Sequence, residues 1–500
     1  MSLTREGKIY KLPLLPFAEK LSAFLGSAGF IVVVAAIVLV ANIFALELIA
    51  YGFFTLVAVF VSVFGKDYLS YTPMLLGCYI TPNFKNNPGR YGDSIFSFTN
   101  GGGAILIMAA VIVAALIYRL IADRELGSKM FKTKRKLLWG MLALGTAYVL
   151  SGVGVKGYTT VAVKNIRFGL IQFAAIFVPY FLLSGGVKWK DVDKRYCAHV
   201  GLVMGLTVGL ELVGVYIMNG VFIDGVLHRE NIFAGWGINN NMGVLISMAI
   251  PFAFYFVHKN DRPILYNVLA VMLCVFSLLT CSRTCILASA AVYVGCLIFI
   301  LSKSPCKRVK KITIVNIFVL IATLGVMSVL TYKAFWSAFS AGLKSDARLR
   351  LYKLGLQIFW HDPIFGSSFY TLNDLAHGEN ASWIWSQMGG FNDIIPGRWH
   401  NTIVQIAAAC GLVGLAAYLL HRVQTVLLIF KKPTAEKVFI GLSIMVLLVM
   451  SLLDCHFFNI GPTLFYSAAL AFIESSSCGE EMALDKKLSK SSKLRGKNEK

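Results

Sequence analysis

The amino-acid sequence predicts an all-α polytopic membrane protein with about 12–14 transmembrane helices and one large outer loop. The 500 residues are 57% hydrophobic and only 14% charged, whereas soluble domains contain about 25% charged residues. The apolar residues form continuous runs of about 20, the length that crosses a bilayer core about 30 Å thick. Because these runs do not alternate with polar residues, they exclude a transmembrane β-barrel.

The candidate spans follow one another along nearly the whole chain. The stronger candidates are 21–42, 44–64, 102–121, 136–154, 166–184, 197–218, 238–258, 264–281, 283–301, 312–333, 400–421, 437–455 and 457–474. A weaker candidate, 69–83, is short and contains Pro73. Counting it as a span is favoured, because two cytoplasmic chain ends require an even number of spans. As a re-entrant segment it would instead leave the N-terminus outside.

The net charge of +22 is explained by membrane topology rather than by binding to nucleic acid. Lysine and arginine are concentrated in short loops beside the apolar runs, as is typical of loops that remain in the cytoplasm. Basic loops that begin at Arg124, Lys188, Lys303 and Arg422 agree on one orientation from residue 102 onward. The same orientation predicts that segments 84–101, 155–166, 219–237 and 334–399 lie on the outer face.

These assignments divide the chain into five parts. They are a cytoplasmic N-terminus (1–20), transmembrane helices (21–333), a large extracytoplasmic loop with an amphipathic helix (334–399), C-terminal transmembrane helices (400–474) and a basic cytoplasmic tail (475–500). The large loop balances its basic residues with acidic ones, as an exported loop should. Loops of this length are uncommon unless they are functional or disordered, and the several Trp and Phe residues argue against disorder.

The sequence predicts no metal site and no cofactor. Most cysteines lie in or beside apolar runs, and no Cys-x-x-Cys pair is present, so neither a disulfide framework nor a cysteine metal site is indicated. Asp191-Val192-Asp193 has the spacing of a metal-binding Asp-x-Asp pair. Because it lies in a lysine-rich loop assigned to the cytoplasm, we interpret it as a solvated loop.

Arg283 is the single charge in the apolar stretch 264–301. As one helix this stretch would be about 57 Å long, roughly twice the thickness of the hydrocarbon core. It must therefore fold as two spans, with Ser282-Arg283-Thr284 at a turn near the outer face. A charge at membrane depth usually faces a cavity or a partner, although an arginine that snorkels to the headgroups explains the position equally well.

Residues 347–360 have the periodicity of a helix that lies on the outer membrane surface and presents cations. The expected apolar stripe is Leu349, Tyr352, Leu356 and Phe359, and the expected polar stripe is Arg350, Lys353 and Gln357. Arg348 lies one turn from Tyr352. The alternative is an amphipathic helix that only binds anionic lipid.

Two further groups of polar residues lie where the chain enters a span from the outside. His400 follows Arg398-Trp399 and precedes Asn401, and histidine is the side chain best suited to proton transfer near neutral pH. Residues 239–241 are three consecutive asparagines. They fit a helix cap and a site that hydrogen-bonds sugar hydroxyls equally well, and Asn401 likewise fits a cap.

Taken in order, these elements resemble the O-antigen ligase/polymerase superfamily of bacterial membrane proteins over residues 235–420. They are Asn240/Asn241, Ser282-Arg283, Arg348 to Tyr352 (Tyr where the family usually has Trp), Pro363-Ile-Phe-Gly366, His400-Asn401 and Gly411-Leu-Val-Gly414. Ser367 stands where the family commonly has a further glycine. This departure concerns the local turn and leaves the family assignment intact.

The resemblance implies a fold similar to GT-C-type glycosyltransferases and a function in cell-surface polysaccharide biosynthesis. The implied donor is a glycan on a polyprenyl diphosphate such as undecaprenyl diphosphate, and the implied acceptor is a glycan, lipid, wall polymer or protein. The implied location is the bacterial cytoplasmic membrane, with a metal-independent active site on the extracytoplasmic face. A transporter that flips lipid-linked oligosaccharides is the alternative, and a non-catalytic envelope protein is a more distant one.

Breaking a sugar–diphosphate bond builds negative charge on the leaving group, which fixed arginines can stabilise. We therefore expect Arg283 and Arg348 to clamp the diphosphate, with Arg350 or Arg398 assisting. His400 is expected to orient or deprotonate the acceptor hydroxyl. The remaining predicted substrate-binding residues are Asn240, Asn241 and Asn401.

Overall fold

The computed structural model describes residues 4–5, 8–9, 15–44, 46–65, 67–79, 102–155, 158–187, 189–223, 226–228, 231–234, 237–341, 347–367, 399–431 and 433–475. These ranges are predominantly helical. The α-helices are α1 (Leu15–Leu25), α2 (Ala28–Phe44), α3 (Glu47–Phe64), α4 (Gly102–Ala122), α5 (Arg124–Lys132), α6 (Leu138–Val149), α7 (Tyr158–Gly186), α8 (Asp191–Met218), α9 (Asn239–His258), α10 (Pro263–Leu279), α11 (Arg283–Lys303), α12 (Lys307–Ala341), α13 (Ala347–His361), α14 (Thr402–Phe430), α15 (Ala435–Met450) and α16 (460–475).

Short non-α elements join some of these helices. Two 3₁₀ helices cover Tyr68–Tyr79 and His456–Phe458. The strands, each of two residues, are β1 (Thr4–Arg5), β2 (Lys8–Ile9), β3 (Phe222–Ile223), β4 (Val226–Leu227), β5 (Phe233–Ala234) and β6 (Gly237–Ile238). They form three antiparallel pairs, β1–β2, β3–β4 and β5–β6.

The described helices confirm the prediction of an all-α polytopic membrane protein. Six of them are long and apolar enough to cross a membrane, or seven if α1 and α2, which meet at a 70° bend, form one span. Three shorter apolar helices accompany them, at Ile107–Ala122, Leu138–Val149 and Pro263–Leu279. The count of 12–14 spans and the likeness to GT-C-type enzymes stay predictions.

Helix α9 is the centre of the bundle. Every residue from Met242 to Val257 is buried, as expected for a helix that is apolar on all sides. It packs against α8, α10, α11 and α15. Glycine permits a close approach of α8, because a Cβ atom at Gly205 in α8 would lie 2.2 Å from the Cβ atom of Ala249.

The weakest span candidate, 69–83, contains a 3₁₀ helix, Tyr68–Tyr79, with Pro73 inside it. This segment packs against α2, α3, α7 and α8. Residues 80–83 lie outside the described residues, so the status of the candidate as a full span stays a prediction.

The loops between the helices gather at two ends of the bundle. At one end, Lys259 Nζ donates hydrogen bonds to Asp191 Oδ1 at 3.0 Å and Glu436 Oε1 at 3.1 Å, which joins two loops predicted to be cytoplasmic. At the other end, the amide of Gly152 donates to the carbonyl of Phe365 at 3.0 Å, which joins two segments at the predicted outer side. Asp191 and Asp193, predicted to lie in a loop, instead belong to the first turn of α8, and Asp191 also pairs with Arg195. The interpretation that they do not bind a metal stays a prediction.

The prediction for Arg422 was wrong as well. Arg422 was assigned to a basic loop, but it lies inside α14, which continues to Phe430. Its guanidinium carbon lies 4.4 Å from the ring centroid of Tyr418 and 4.3 Å from that of Phe457. Aromatic faces stabilise a desolvated cation, so this charge does not end the helix.

Candidate functional site

Two glycine motifs that are far apart in the sequence interlock in the structure. Helix α14 is broken at Gly411, where φ is 63° and ψ is −154°. The turn that begins at Pro363 fills the break, since the Pro363 carbonyl accepts a hydrogen bond from the Leu412 amide at 2.7 Å. A Cβ atom at Gly366, which also has a positive φ of 69°, would lie 2.3 Å from the backbone carbon of Ala409. The Pro-x-x-Gly turn and the Gly-Leu-x-Gly step therefore form one unit.

Helix α13 packs against the first turns of α14. Gly355 makes this approach possible, because a Cβ atom there would lie 2.5 Å from Cγ1 of Val404 and 3.1 Å from the indole ring of Trp399. This contact brings the segment that carries Arg348 against the segment that carries His400.

The face that α13 buries differs in part from the predicted apolar stripe. Leu349 is 68% exposed and Leu356 is 46% exposed, although Phe359 is buried as expected. The buried face consists of Leu351, Leu354 and Ile358 with Gly355. The predicted helical period is correct, but the helix has two apolar faces. The face that contains Gly355 packs against α14, because only a residue without a side chain allows so close an approach.

His400 directly precedes α14 and has an unusual backbone. Its φ of 51° lies in the left-handed region, which is uncommon for a residue other than glycine. The carbonyl of His400 accepts a hydrogen bond from the hydroxyl of Tyr352 at 3.0 Å. The preceding residue, Trp399, is buried, and its amide donates to Gln405 Oε1 at 3.1 Å. The backbone of His400 is thus held by both α13 and α14.

Asp454, in the loop between α15 and α16, is the centre of a polar cluster. Its Oδ1 atom lies 3.2 Å from His400 Nδ1 and accepts a hydrogen bond from the Cys455 amide at 2.7 Å. Its Oδ2 atom accepts a hydrogen bond from Asn240 Nδ2 at 3.0 Å and lies 3.9 Å from His456 Nε2. The side chain of Asp454 is 12% exposed and that of His400 is 36% exposed, so the cluster opens on the histidine side.

The surroundings of Asp454 favour its ionised form. Burial alone raises the pKa of the Asp454 carboxyl, but the hydrogen bond from His400, the charges of His456 and His400 and the Cys455 amide lower it by more. The net pKa lies well below the usual range of aspartate, so Asp454 is a carboxylate at neutral pH. It can therefore accept a hydrogen bond from His400 when Nδ1 carries the proton.

Asn240 connects this cluster to the turn that carries Arg283. The carbonyl of Asn240 accepts a weak hydrogen bond from Cys285 Sγ at 3.7 Å. The side chain of Ser282 caps α11 by accepting from the Cys285 amide at 3.4 Å, and Arg283 is the first, half-buried residue of that helix. Oδ1 of Asn240 is buried and has no hydrogen-bond partner among the described residues.

The two other predicted asparagines stabilise helix starts. Asn241 Oδ1 accepts a hydrogen bond from Asn459 Nδ2, just before α16, at 2.8 Å. Asn401 caps α14, since its Oδ1 accepts from the amides of Ile403 and Val404. Its Nδ2 also donates to the carbonyl of Leu452 at 2.8 Å. Contact between these asparagines and a substrate stays a prediction.

The structure describes the three predicted arginines of the large loop to different extents. Arg348 is exposed on the first turn of α13. Burial raises the pKa of the Tyr352 phenol, and the nearby positive charge of Arg348 partly opposes that shift. This fits the position of Arg348 one turn before the residue that contacts His400. Arg350 lies on α13, and Arg398 lies outside the described residues.

Four helices begin beside this cluster. Asn240 belongs to the first turn of α9, Ser282 caps α11, Asn401 caps α14 and Asn459 directly precedes α16. Helix N-termini carry partial positive charge and exposed N–H groups, which favour anions. Together with Arg283 and Arg348 they make this end of the bundle suited to a negatively charged ligand.

Asp454 and His456, the centre of the cluster and its neighbour, were not among the residues predicted from the sequence. Asp454 fell at the end of the predicted span 437–455 and received no role. A carboxylate at the edge of an apolar run is costly unless it has a partner, and that signal could have identified it. No group of three or more His, Cys, Asp or Glu side chains that could hold a metal occurs within the part of the chain that the structure describes.

The fold and the site define a class of protein, a multi-span membrane protein with a cationic, partly buried polar cluster where several helices begin. Residues 268–419 match the family model described as O-antigen ligase. This region of the chain is thus similar to O-antigen ligases, which confirms the resemblance and supports the transfer of glycan within a membrane. The match spans α11 to α13, His400 and the break in α14. No curated protein matches the chain.

Proposed function

We propose that this protein is a metal-independent glycosyltransferase. It ligates or polymerises glycan from a polyprenyl-diphosphate carrier on the extracytoplasmic face of the bacterial cytoplasmic membrane. The observation that carries the proposal is the contact between His400 and Asp454, at 3.2 Å, beside the helices that present Arg283 and Arg348.

In this proposal His400 is the general base. Asp454 accepts a hydrogen bond from Nδ1–H of His400, which leaves the lone pair on Nε2 for the acceptor. Nε2 removes the proton of an acceptor hydroxyl as its oxygen forms a bond to the anomeric carbon of the donor sugar. The Asp454 carboxylate then stabilises the imidazolium that results. A carboxylate that orients a histidine in this way is a recurrent arrangement in enzymes.

The bond that breaks joins the anomeric carbon to the diphosphate oxygen, and the electron pair leaves with the diphosphate. Arg283 and Arg348 stabilise that charge, because a guanidinium remains protonated and binds phosphate oxygens bidentately. Preorganised charges of this kind often supply the largest catalytic contribution. The helix N-termini beside the cluster add to the favourable potential.

The grouping of the loops supports the proposed membrane face. The Asp454 cluster lies at the end where predicted outer segments meet, opposite the ion pairs of Lys259 with Asp191 and Glu436. The orientation is tested with two cysteines, each alone in a protein whose other cysteines are replaced. One is introduced by Ile364→Cys, at an exposed position, and the other is the native Cys306. An impermeant maleimide should label the first in intact cells and the second only after the membrane is opened. The reverse pattern would refute the proposed face.

The function is tested with purified protein in liposomes and a polyprenyl-diphosphate oligosaccharide, in the presence of a chelator. A longer glycan on the carrier identifies a polymerase, and glycan on a second acceptor together with free carrier diphosphate identifies a ligase. Transfer that needs an added metal contradicts metal independence. Movement of the intact lipid between leaflets without transfer overturns the proposal in favour of a transporter.

A further inference from the structure

We propose that Tyr352 is a positioning residue that couples the helix carrying Arg348 to the backbone of His400. The consequence for turnover rests on the proposed function, whereas the contact itself does not. Nothing in the chemistry of the transfer reaction requires a phenol at this place, so the role follows from the geometry of this chain.

The first step is the contact. The hydroxyl of Tyr352 donates to the carbonyl of His400 at 3.0 Å, across 48 positions of sequence. His400 adopts a left-handed φ of 51°, a conformation that persists only where neighbouring groups hold it. The phenol is such a group, because it fixes the peptide plane on which the direction of the imidazole depends.

The second step is the rigidity of the helix that carries Tyr352. Close to Tyr352 on the same helix, Leu354 is buried, and Gly355 lies against Val404 in the first turn of α14. This close contact at Gly355 fixes the register of α13. One turn before Tyr352 lies Arg348, at position i−4 on the same side of the helix. A diphosphate held by Arg348 would therefore act on His400 through one helical turn and one hydrogen bond.

The third step is the electrostatic setting of the phenol. Tyr352 lies within range of the positive charge of Arg348 and the negative charge of Asp454. The cation proposed to bind the donor and the carboxylate proposed to orient the base thus both act on the pKa of the same hydroxyl. We infer that Tyr352 aligns the general base with the donor site and does not contact the reacting atoms.

The test compares Tyr352→Phe, which removes only the hydroxyl, with Tyr352→Trp, which supplies a different hydrogen-bond donor. Lys353→Gln, at the neighbouring exposed position of the same helix, is the matched control. The first readout is amide hydrogen exchange of residues 399–404 in the purified full-length protein. The second is steady-state transfer, with turnover and the KM for the donor measured separately.

Tyr352→Phe should exchange about three to ten times faster at residues 399–404 than the wild type, as expected from the loss of one hydrogen bond. Its turnover should fall by a similar factor of about three to ten at a nearly unchanged donor KM, and Tyr352→Trp should recover part of both losses. Lys353→Gln should match the wild type.

Unchanged exchange in Tyr352→Phe overturns the inference, whatever the activity. Faster exchange with unchanged turnover also overturns it, because positioning would then have no catalytic effect. If the wild type itself transfers no glycan, the proposed function fails, while the exchange result still decides whether Tyr352 holds His400. The two failures are therefore distinguishable.

Discussion

The Nδ1 atom of His400 lies 3.2 Å from Oδ1 of Asp454, although 54 positions separate the two residues. Each partner is fixed by a different part of the fold. His400 is held by the phenol of Tyr352, and Asp454 is held by the side chain of Asn240 and the amide of Cys455. An imidazole held through Nδ1 presents Nε2 in one direction, which is the property that a general base needs.

Substitutions of this pair should strongly reduce transfer without loss of the folded protein. His400→Ala removes the proposed base, and general bases contribute about 10²- to 10⁴-fold to rate. Asp454→Asn retains the shape of the side chain but replaces the carboxylate, so turnover should fall by about 10-fold or more. Both effects are measured as turnover in liposomes at saturating donor.

A second histidine–aspartate contact provides the control. His361 Nδ1 lies 3.0 Å from Asp362 Oδ2 at the end of α13. His361→Ala should transfer glycan at close to the wild-type rate, because this histidine is outside the Asp454 cluster. Equal loss of activity in His361→Ala and His400→Ala would argue for a general effect on the loop and against a base at His400.

The stabilising effect of Asp454 should depend on pH in one direction only. Its folded pKa lies below the value of about 3.9 for unfolded aspartate, so its contribution to stability is fully present above that value. The contribution is lost as the pH falls from about 4 towards the folded pKa. The difference in melting temperature between the wild type and Asp454→Asn in detergent should therefore not shrink between pH 8 and pH 6 and should be smaller near pH 3. A difference that already shrinks between pH 8 and pH 6 would contradict the depressed pKa.

Gly366 and Gly411 should not tolerate a side chain, because the Pro363 turn fits closely into the break of α14. A Cβ atom at Gly411 would lie 2.4 Å from the carbonyl oxygen of Ile364, and the positive φ adds backbone strain. Gly411→Ala and Gly366→Ala should each lower stability by about 2 kcal/mol or more, measured by thermal unfolding in detergent. Gly325→Ala in α12 is the control, because no atom lies within 4 Å of its added Cβ, and it should not lower the melting temperature.

The sequence was sufficient to predict most helices and to name several of the residues that the structure brings together. Apolar runs of about the thickness of a bilayer predict spans, and the turn at Arg283 followed because the run 264–301 is too long for one span. The structure begins α11 at Arg283 itself. Asn240, Tyr352 and His400 came from the order of the motifs, and the structure links them through Asp454 and the backbone of His400.

The rest depends on contacts that no local pattern contains. Asp454 reaches Asn240 across 214 positions of sequence, so its role is visible only once α9, α14 and α15 are assembled. The buried face of α13 was predicted incorrectly for a similar reason. Gly355 determines which face is buried through its close contact with Val404, and that contact is not visible in the sequence. Arg422 was misassigned because charge alone suggests a loop, whereas Tyr418 and Phe457 enclose it.

The proposed diphosphate clamp predicts that Arg283 and Arg348 require the shape of arginine as well as its charge. Lysine keeps the charge but loses the planar fork, so Arg283→Lys and Arg348→Lys should reduce transfer about 10-fold or more, and the alanine variants should abolish it. The loss should appear in turnover more than in donor KM, because the charge to be stabilised develops as the bond breaks. Lys353→Ala, an exposed cation on α13, should transfer normally. If both alanine variants keep the wild-type rate while His400→Ala is inactive, the arginines do not stabilise the leaving group and another cation must take that role.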